Sequence, residues 1–542
     1  MTRRSHTLSQ DCRILMIKDA KSDTLDDLAK LRRSPQAEAY WQNAQRFLLN
    51  GRHAHALASY RNLIQQFPGV SQLWAELGLA AAGDLDFALA GQASQRAAEL
   101  ASADATLLVS IGQQYHRLRR LEQAGACFER AVAADPSSVH ARLSLAAWLE
   151  RDRRLDQAWE CVEACLLQHP KDGRALYFKA FLMHRKGLDG EAETALRDLL
   201  KSGSLDPNVK QSATHLLGVV LDALGQYAEA MRSLGNAKTL LREMTNTTAL
   251  ERAYDQMDRA RRKLLEELTP ETLRRWREES AASPCPHSLA FLGGPPRSGT
   301  TLIEQILGTN PEILAFDEPE GFTRELLNAL HPAPSARGLT FKTLNALTAT
   351  ARVRLIGRYF KSLLRDLEQG PHGRLLLDKN PSLTALLHIW LRLFPQLKVI
   401  IALREPRDII ISCYFQNLPL TGASVNFLSL ERTARFYADC MDVWLRMREL
   451  GGFDWIETRY EDVVGNLEGE GRRLTNFLGL PWHESQAAYY ETARRKFVHA
   501  PTYNEVTLPV YNTAVGRWKH YAKALAPLQA GLEPYLQAFG YA

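Results

Sequence analysis

Two textures of hydrophobic and polar positions divide the chain. From about residue 35 to 243, small and apolar residues recur at helical spacing, and the pattern repeats. Pro68, Pro136 and Pro170 fall on a 34-residue grid. One unit carries Gly112, Tyr115, Ala124, Phe128 and Ala131; the next carries Ala146, Leu149, Ala158 and Val162. Ala44, Phe47, Ala56 and Tyr60 open the series, and Gly218, Leu221, Ala230, Leu234 and Ala237 close it. Each unit reads as a helix pair. Small residues let the two helices approach, larger ones fill the groove, and proline ends the second helix. A helix pair cannot bury its apolar face alone, so the units must stack into a solenoid. Six units fit in register, with a short insertion after the fifth.

From Leu289 onward short β-rich runs alternate with helical stretches, which predicts a parallel sheet with crossover helices. The predicted strands are Leu289–Leu292, Ile313–Phe316, Arg374–Leu377, Lys398–Leu403 and Trp455–Thr458. Residues 1–34 read as a flexible polar tail, 35–243 as the solenoid, 244–286 as a helical linker and 287–542 as the α/β domain. In the linker, the basic run MDRARRKLLEEL reads as a solvated helix face. Thr269-Pro270 starts a further helix, and AASPCP ends it.

Ligands in such sheets lie at the carboxyl ends of the strands, and the candidate chemistry falls there. FLGGPPRSGTTLIEQIL, Phe291 to Leu307, reads as strand, Gly/Pro/Ser turn and amphipathic helix. Its backbone N–H groups and helix N-terminus make an anion cradle. Arg297 adds a planar cationic fork, Ser298, Thr300 and Thr301 add hydroxyls, and Gly299 supplies the turn. A Walker A loop needs Gly-Lys-Ser/Thr, and the residue after Gly299 is a threonine. The predicted ligand is a phosphate or a sulfate. A second cation, Arg404, ends the strand KVIIAL, and Ser412 lies eight residues further along the following helix. Arg404 and Ser412 could grip a second phosphate; a helix-capping ion pair is the plainer reading of LREPRD.

The repeating units resemble the tetratricopeptide repeat. PPRSGTT resembles the 5′-phosphosulfate loop of sulfotransferases, and GGPPRSGTTL is similar to the tyrosylprotein sulfotransferase branch, where arginine replaces the lysine of the cytosolic enzymes. The resemblance covers residues 289 to about 525. It implies a multidomain chain, an all-α tetratricopeptide solenoid followed by a P-loop-like three-layer α/β sulfotransferase domain with a parallel sheet. It implies 3′-phosphoadenosine 5′-phosphosulfate (PAPS) as donor, with Arg297, Ser298, Gly299, Thr300 and Thr301 at the 5′ end. Arg404 and Ser412, at the family's spacing, would hold the 3′-phosphate.

The same resemblance places a catalytic base at Glu318, in AFDEPEG, with Asp317 the rival. Neighbouring Asp317 and Glu320, with partial burial, would raise its pKa. Lys379, in LLLDKNP, matches the family's lysine near the donor's bridging oxygen; an ion pair with Asp378 is the plainer reading. Tyr460, in TRYEDVV, would lie by the nucleotide or else in the core. PVYNTAVGRWKHY aligns loosely with the family's C-terminal nucleotide loop. Gly516, Trp518 and Lys519 match, whereas Tyr511, Asn512, Thr513 and Arg517 replace the family's residues. Arg517 and Trp518 are the contacts this loop would offer.

The implied reaction is in-line transfer of a sulfuryl group to a hydroxyl, without a metal. Protein tyrosine leads as acceptor, with a carbohydrate or small hydroxylated molecule as the alternative. A nucleotide kinase is a rival class, disfavoured by the missing lysine. Another is a partner-binding scaffold with an inactive nucleotide domain.

Charge and cysteine content change this picture little. Net charge is +6 over 542 residues, too mild to argue for nucleic acid. Seven scattered cysteines, with Cys161 and Cys165 one helical turn apart, suggest thiols rather than a disulfide framework or a metal site. The basic N-terminus has no apolar run, and no stretch reaches the ~18 apolar residues of a membrane span. Animal tyrosylprotein sulfotransferases are Golgi-anchored, so this chain reads as a cytoplasmic, bacterial form. The solenoid offers a concave surface for a peptide, a protein partner or self-association; a spacer is the plainer reading.

Overall fold

The computed structural model describes residues 24–542 apart from 85, 102, 204, 282, 331–338, 366, 368–369, 496–506 and 509–513. Its contacts divide the chain into two units, Met1–Val209 and Lys210–Ala542.

The described residues of the first unit form helices joined by short turns. Helix pairs run from Pro35–Leu49 with His53–Gln66 to Gly173–Arg185 with Asp189–Lys201. Their interior is the small-and-large pattern of the sequence. A Cβ on Gly112 would sit 2.6 Å from the Phe128 ring, so the helices touch where glycine leaves room. The turn after the first helix of several pairs needs a left-handed residue. Gly51, Arg119, Arg153 and Gly187 take it, with φ of 68°, 61°, 64° and 76°. The repeat thus imposes this conformation even on arginine. The predicted tail needs correction. Thr24–Arg33 is a helix, with Leu31 fully buried and Asp27 accepting the Gly69 N–H at 2.9 Å. Residues 1–23 lie outside the described residues.

The second unit starts within the helix Pro207–Ala223 (α1), which is followed by Tyr227–Met244 (α2), Thr247–Glu266 (α3) and Pro270–Ala281 (α4). The basic run keeps an exposed face through Arg259, Lys263, Glu266 and Glu267, but part of it turns inward. Arg261 is buried against Asp258, and Arg262 bridges Asp258, Asp439 and Asp442. The acidic residues of helix Leu430–Leu450 draw the run inward, and buried charges survive only when paired in this way.

The sheet contains β1 (Leu289–Gly293), β2 (Ile313–Asp317), β3 (Leu375–Lys379), β4 (Lys398–Leu403) and β5 (Asp454–Arg459). All pairings are parallel, in the order β2-β3-β1-β4-β5. Alternate residues feed opposite faces. Phe291, Leu376, Val399 and Ile401 join a core containing Trp390 and Trp444. Ala290, Leu292, Leu377 and Ile400 join a second core with Ile303, Ile306 and Leu474. Helices therefore cover both faces, giving three layers, and β1 and β3 are buried along their whole length. No helix among the described residues is long and apolar enough to cross a membrane.

Candidate active site

The carboxyl end of every strand delivers a candidate residue. The glycine-rich turn follows β1, Glu318 follows β2, Lys379 ends β3, Arg404 follows β4 and Tyr460 follows β5. The turn after β1 is held tightly. Gly294 has φ 124°, and a Cβ there would lie 2.3 Å from the Ala402 carbonyl oxygen. Thr384 Oγ1 donates to the Gly294 carbonyl at 2.9 Å and accepts its N–H at 2.8 Å. The turn ends at Gly299, the left-handed N-cap of helix α5 (Thr300–Gly308).

These elements enclose one cavity of about 400 Å³. Arg297, Gly299, Thr300, Thr301, Glu318, Arg404, Ser412, Tyr460 and Arg517 all line it. Arg297 and Glu318 are also left-handed, with φ of 72° and 47°. Neither belongs to the helix-ending turns of the solenoid. Left-handed non-glycine backbone costs about 1 kcal/mol or more, and it clusters where a side chain must be aimed.

Cation and hydroxyl groups converge here. Arg297 Nε donates to Ser412 Oγ at 3.0 Å. Arg404 is buried, donates to the Arg297 carbonyl at 3.2 Å and to the Ala514 carbonyl, and lies 4.8 Å from the centre of the Tyr460 ring. Its Nε has no hydrogen-bond partner among the described residues. A buried donor left unmade costs roughly 1–3 kcal/mol, so a site offering it an anion is chemically consistent. Burial raises the Tyr460 phenol above its ordinary range.

Glu405, by contrast, caps helix α6 (Pro406–Tyr414), accepting the Arg407 N–H, and pairs with the Arg407 side chain at 2.8 Å. The helix-capping ion pair therefore exists between these two neighbours, while Arg404 lines the cavity with Asp408 4.0 Å away. Asp408 accepts the N–H groups of Gly516 and Trp518, both at 2.7 Å, and so anchors the C-terminal turn.

Three candidates do not reach the cavity lining. Ser298 is fully buried; its Oγ is near enough to Gly294 that a Cβ there would meet it at 2.9 Å. The tight turn points this hydroxyl inward. The Trp518 ring lies under the Arg407 guanidinium, 3.6 Å from its carbon, because the Asp408 anchor turns it aside. Lys379 is fully buried, and its Nζ donates to Asp317 and, at 3.0 Å, to Glu318. Its partner is not Asp378, because adjacent strand residues point to opposite faces. Asp317 is instead its cross-strand neighbour. Burial works against the Lys379 charge, but Glu318 and Asp317 outweigh it and hold its pKa above the ordinary lysine value.

Glu318 departs from its expected surroundings. Its side chain is 45% exposed, and the nearest charge is the Lys379 cation. Glu320 is taken by Arg324 at 3.0 Å. Between the two acids of this loop, Glu318 lines the cavity and Asp317 turns to Lys379. Of the C-terminal loop, Tyr511, Asn512 and Thr513 lie outside the described residues.

Other lining residues escaped the sequence reading, among them Ser382, Thr421, Ser424, Phe427 and Tyr489. Ser382 follows closely on the LLLDKNP strand end, a usable signal. The others come from irregular segments and helices with no motif to mark them.

On the far side of β3, Asp378 is fully buried and accepts the Tyr359 hydroxyl at 2.7 Å. Burial pushes its carboxyl up to about 7, against the Tyr359 hydrogen bond and the Lys379 charge. The folded state then binds this proton more tightly than the unfolded chain. Its stabilising contribution is full below about pH 4 and is lost as pH rises to about 7. The Asp378→Asn variant should therefore gain stability relative to the parent across that window, by more than about 1 kcal/mol. Urea midpoints at stepped pH check this; parallel curves for the two proteins would refute it.

Fold and cavity together define an α/β protein with a glycine-rich turn and a cation-lined cavity at the carboxyl ends of a parallel sheet. Residues 290–484 match the sulfotransferase family, and residues 105–138 match the tetratricopeptide repeat. The chain is thus similar to the tetratricopeptide repeat in its first part and to the sulfotransferase family in its second. It is 27% identical over 337 residues to an uncharacterised protein of Aquifex aeolicus, covering 61% of this chain and 43% of that one. It is 26% identical over 271 residues to protein-tyrosine sulfotransferase 2 of Gallus gallus, covering 47% and 69%. The chain thus spans less than half the length of the Aquifex relative. The sulfotransferase domain of the Synechococcus PCC 7002 olefin synthase overlaps 44% of this chain and 88% of its own, at 21% identity and a TM-score of 0.32.

Proposed function

We propose that this protein is a sulfotransferase that moves the sulfuryl group of PAPS to a hydroxyl acceptor, with protein tyrosine as the leading acceptor. The observation that carries the reading is the convergence of Arg297, Arg404 and Glu318 on one cavity. Two fixed cations suit a ligand with phosphate-type groups at both ends, and a carboxylate beside them suits removal of a proton. The Arg404 Nε, without a partner among the described residues, and the linked Arg297–Ser412 pair fit that donor. The family match and the tyrosine-sulfotransferase relatives support the reaction class and the acceptor.

In this reading PAPS supplies an activated sulfuryl group attached to a phosphate. Glu318 accepts the proton of the acceptor hydroxyl. The acceptor oxygen forms a bond to sulfur as the bond from sulfur to the bridging phosphate oxygen breaks. That oxygen keeps the electron pair and leaves as 3′-phosphoadenosine 5′-phosphate. Arg297 and the N–H groups of the glycine-rich turn stabilise the charge that develops. Lys379 aims the Glu318 carboxylate, and Arg404 with Ser412 holds the 3′-phosphate. Tyr460 and Arg517 border the nucleotide, and the repeat array offers a surface for a protein acceptor or partner.

Calorimetric titration with 3′-phosphoadenosine 5′-phosphate, beside ATP–magnesium, tests the reading. Tight binding of the first and little of the second is expected. The reverse order would move the domain to nucleotide kinases.

A further inference from the structure

The last helix pair of the repeat pattern, α1 and α2, belongs to the same compact unit as the catalytic domain and grips two segments that line the cavity. The first segment follows helix α6, whose last turn carries Ser412. His215 Nε2 meets the Phe415 carbonyl at 3.0 Å, Lys238 Nζ donates to the Gln416 carbonyl, and Gln211 Nε2 donates to Asn417 Oδ1 at 3.1 Å. Two of these acceptors are backbone carbonyls just past the end of the helix, and the third is a side-chain amide oxygen. All three donors are buried. Burial pushes the Lys238 ammonium down to about 8, a cost a solenoid helix has no need to bear for its own packing.

The second segment is the C-terminal turn. Asp222, near the end of α1, uses both oxygens on it. One accepts from the Arg517 guanidinium at 2.6 Å and the other from the Tyr521 hydroxyl. Tyr227, opening α2, stacks on His520 with ring centres 4.1 Å apart. The Arg517 guanidinium lies over the Phe415 ring at 4.1 Å, so the two segments also meet each other.

We infer that α1 and α2 are a positioning element of the donor cavity, and that Asp222 is the positioning residue that aims Arg517 into it. Without such a contact, the Arg517 side chain could swing toward solvent. Held flat on Phe415 by one carboxylate oxygen, it presents the rest of its fork to the cavity. The same carboxylate fixes Tyr521 and so the turn whose Ala514 carbonyl receives Arg404. Only the choice of probe rests on the sulfotransferase reading.

The test compares the full-length protein with Asp222→Ala, the isosteric Asp222→Asn and the charge-restoring Asp222→Glu. Hydrogen exchange should quicken in Asp222→Ala over peptides covering 412–417 and 514–521, with the first repeats unchanged. Titration with 3′-phosphoadenosine 5′-phosphate should show a Kd about tenfold weaker at unchanged stoichiometry, part of it recovered in Asp222→Glu. A fold defect would instead lower the stoichiometry at unchanged Kd, and would overturn the inference if Asp222→Asn behaved the same way. Unchanged exchange in both segments would also overturn it. If the parent protein binds no 3′-phosphoadenosine 5′-phosphate, the donor reading falls, and the exchange pattern of Asp222→Asn alone decides the positioning role.

Discussion

Replacing Glu318 by glutamine is expected to lower transfer by about a thousandfold while leaving the affinity for 3′-phosphoadenosine 5′-phosphate within about twofold. A positioned general base contributes ~10²–10⁴ in rate, and the amide cannot take the proton. Glutamine keeps the length and shape of the side chain, so the left-handed turn at φ 47° and the Lys379 contact at 3.0 Å have no steric reason to change. Lys379 retains Asp317 as its ion partner, so the variant does not strand a buried charge. Because Glu318 faces the acceptor side of the chemistry in this reading, ground-state nucleotide binding should be spared. Initial rates with labelled donor and a tyrosine-containing acidic peptide measure the first effect, and calorimetry the second. Near-parental turnover would remove Glu318 as the base and bring Asp317 forward.

The second large effect concerns ligand selectivity. Arg404→Gln is expected to weaken 3′-phosphoadenosine 5′-phosphate by about a hundredfold and adenosine 5′-phosphate by less than threefold. A charge-assisted hydrogen bond in a buried site is worth ~1.5–3 kcal/mol, or about one to two decades of affinity. Glutamine can still donate one hydrogen bond to a neighbouring carbonyl, which limits collapse of the contacts to Arg297 and Ala514. The selectivity between the two ligands is the informative readout, since loosening of the whole site would weaken both alike. Equal losses would place the 3′-phosphate elsewhere, with Arg517 the next cation lining the cavity.

Much of the fold was legible because its signals are local. Each predicted strand overlaps an observed one. Short apolar runs between helical stretches have few alternatives to a buried parallel sheet, though β3 runs on to Lys379 rather than stopping at Leu377. The repeat was equally plain, since a 34-residue period in small and large residues is a packing constraint written many times. The tail and the inward-facing part of the linker escaped the sequence for one shared reason. Polar composition looks like solvent exposure until the partner is known, and the partners of Asp27 and Arg262 include groups far along the chain.

For the site, sequence motifs marked which strand ends carry charge, and tertiary structure decided where each side chain points. Ser298 and Thr300 are near neighbours in one motif, yet one hydroxyl is folded against Gly294 and the other residue lines the cavity. Asp317 and Glu318 are adjacent acids, and the register between β2 and β3 sends the first to Lys379 and the second to the cavity. The pairing of Asp222 with Arg517 joins residues almost three hundred positions apart. By itself the sequence determined the two architectures, their order and the glycine-rich turn, because periodicity and turn chemistry act over a few residues. Only the tertiary structure decided which cations share a cavity, which carboxylate is left facing it, and that the last helix pair holds its walls. Those outcomes depend on strand register and long-range packing, which a motif does not encode.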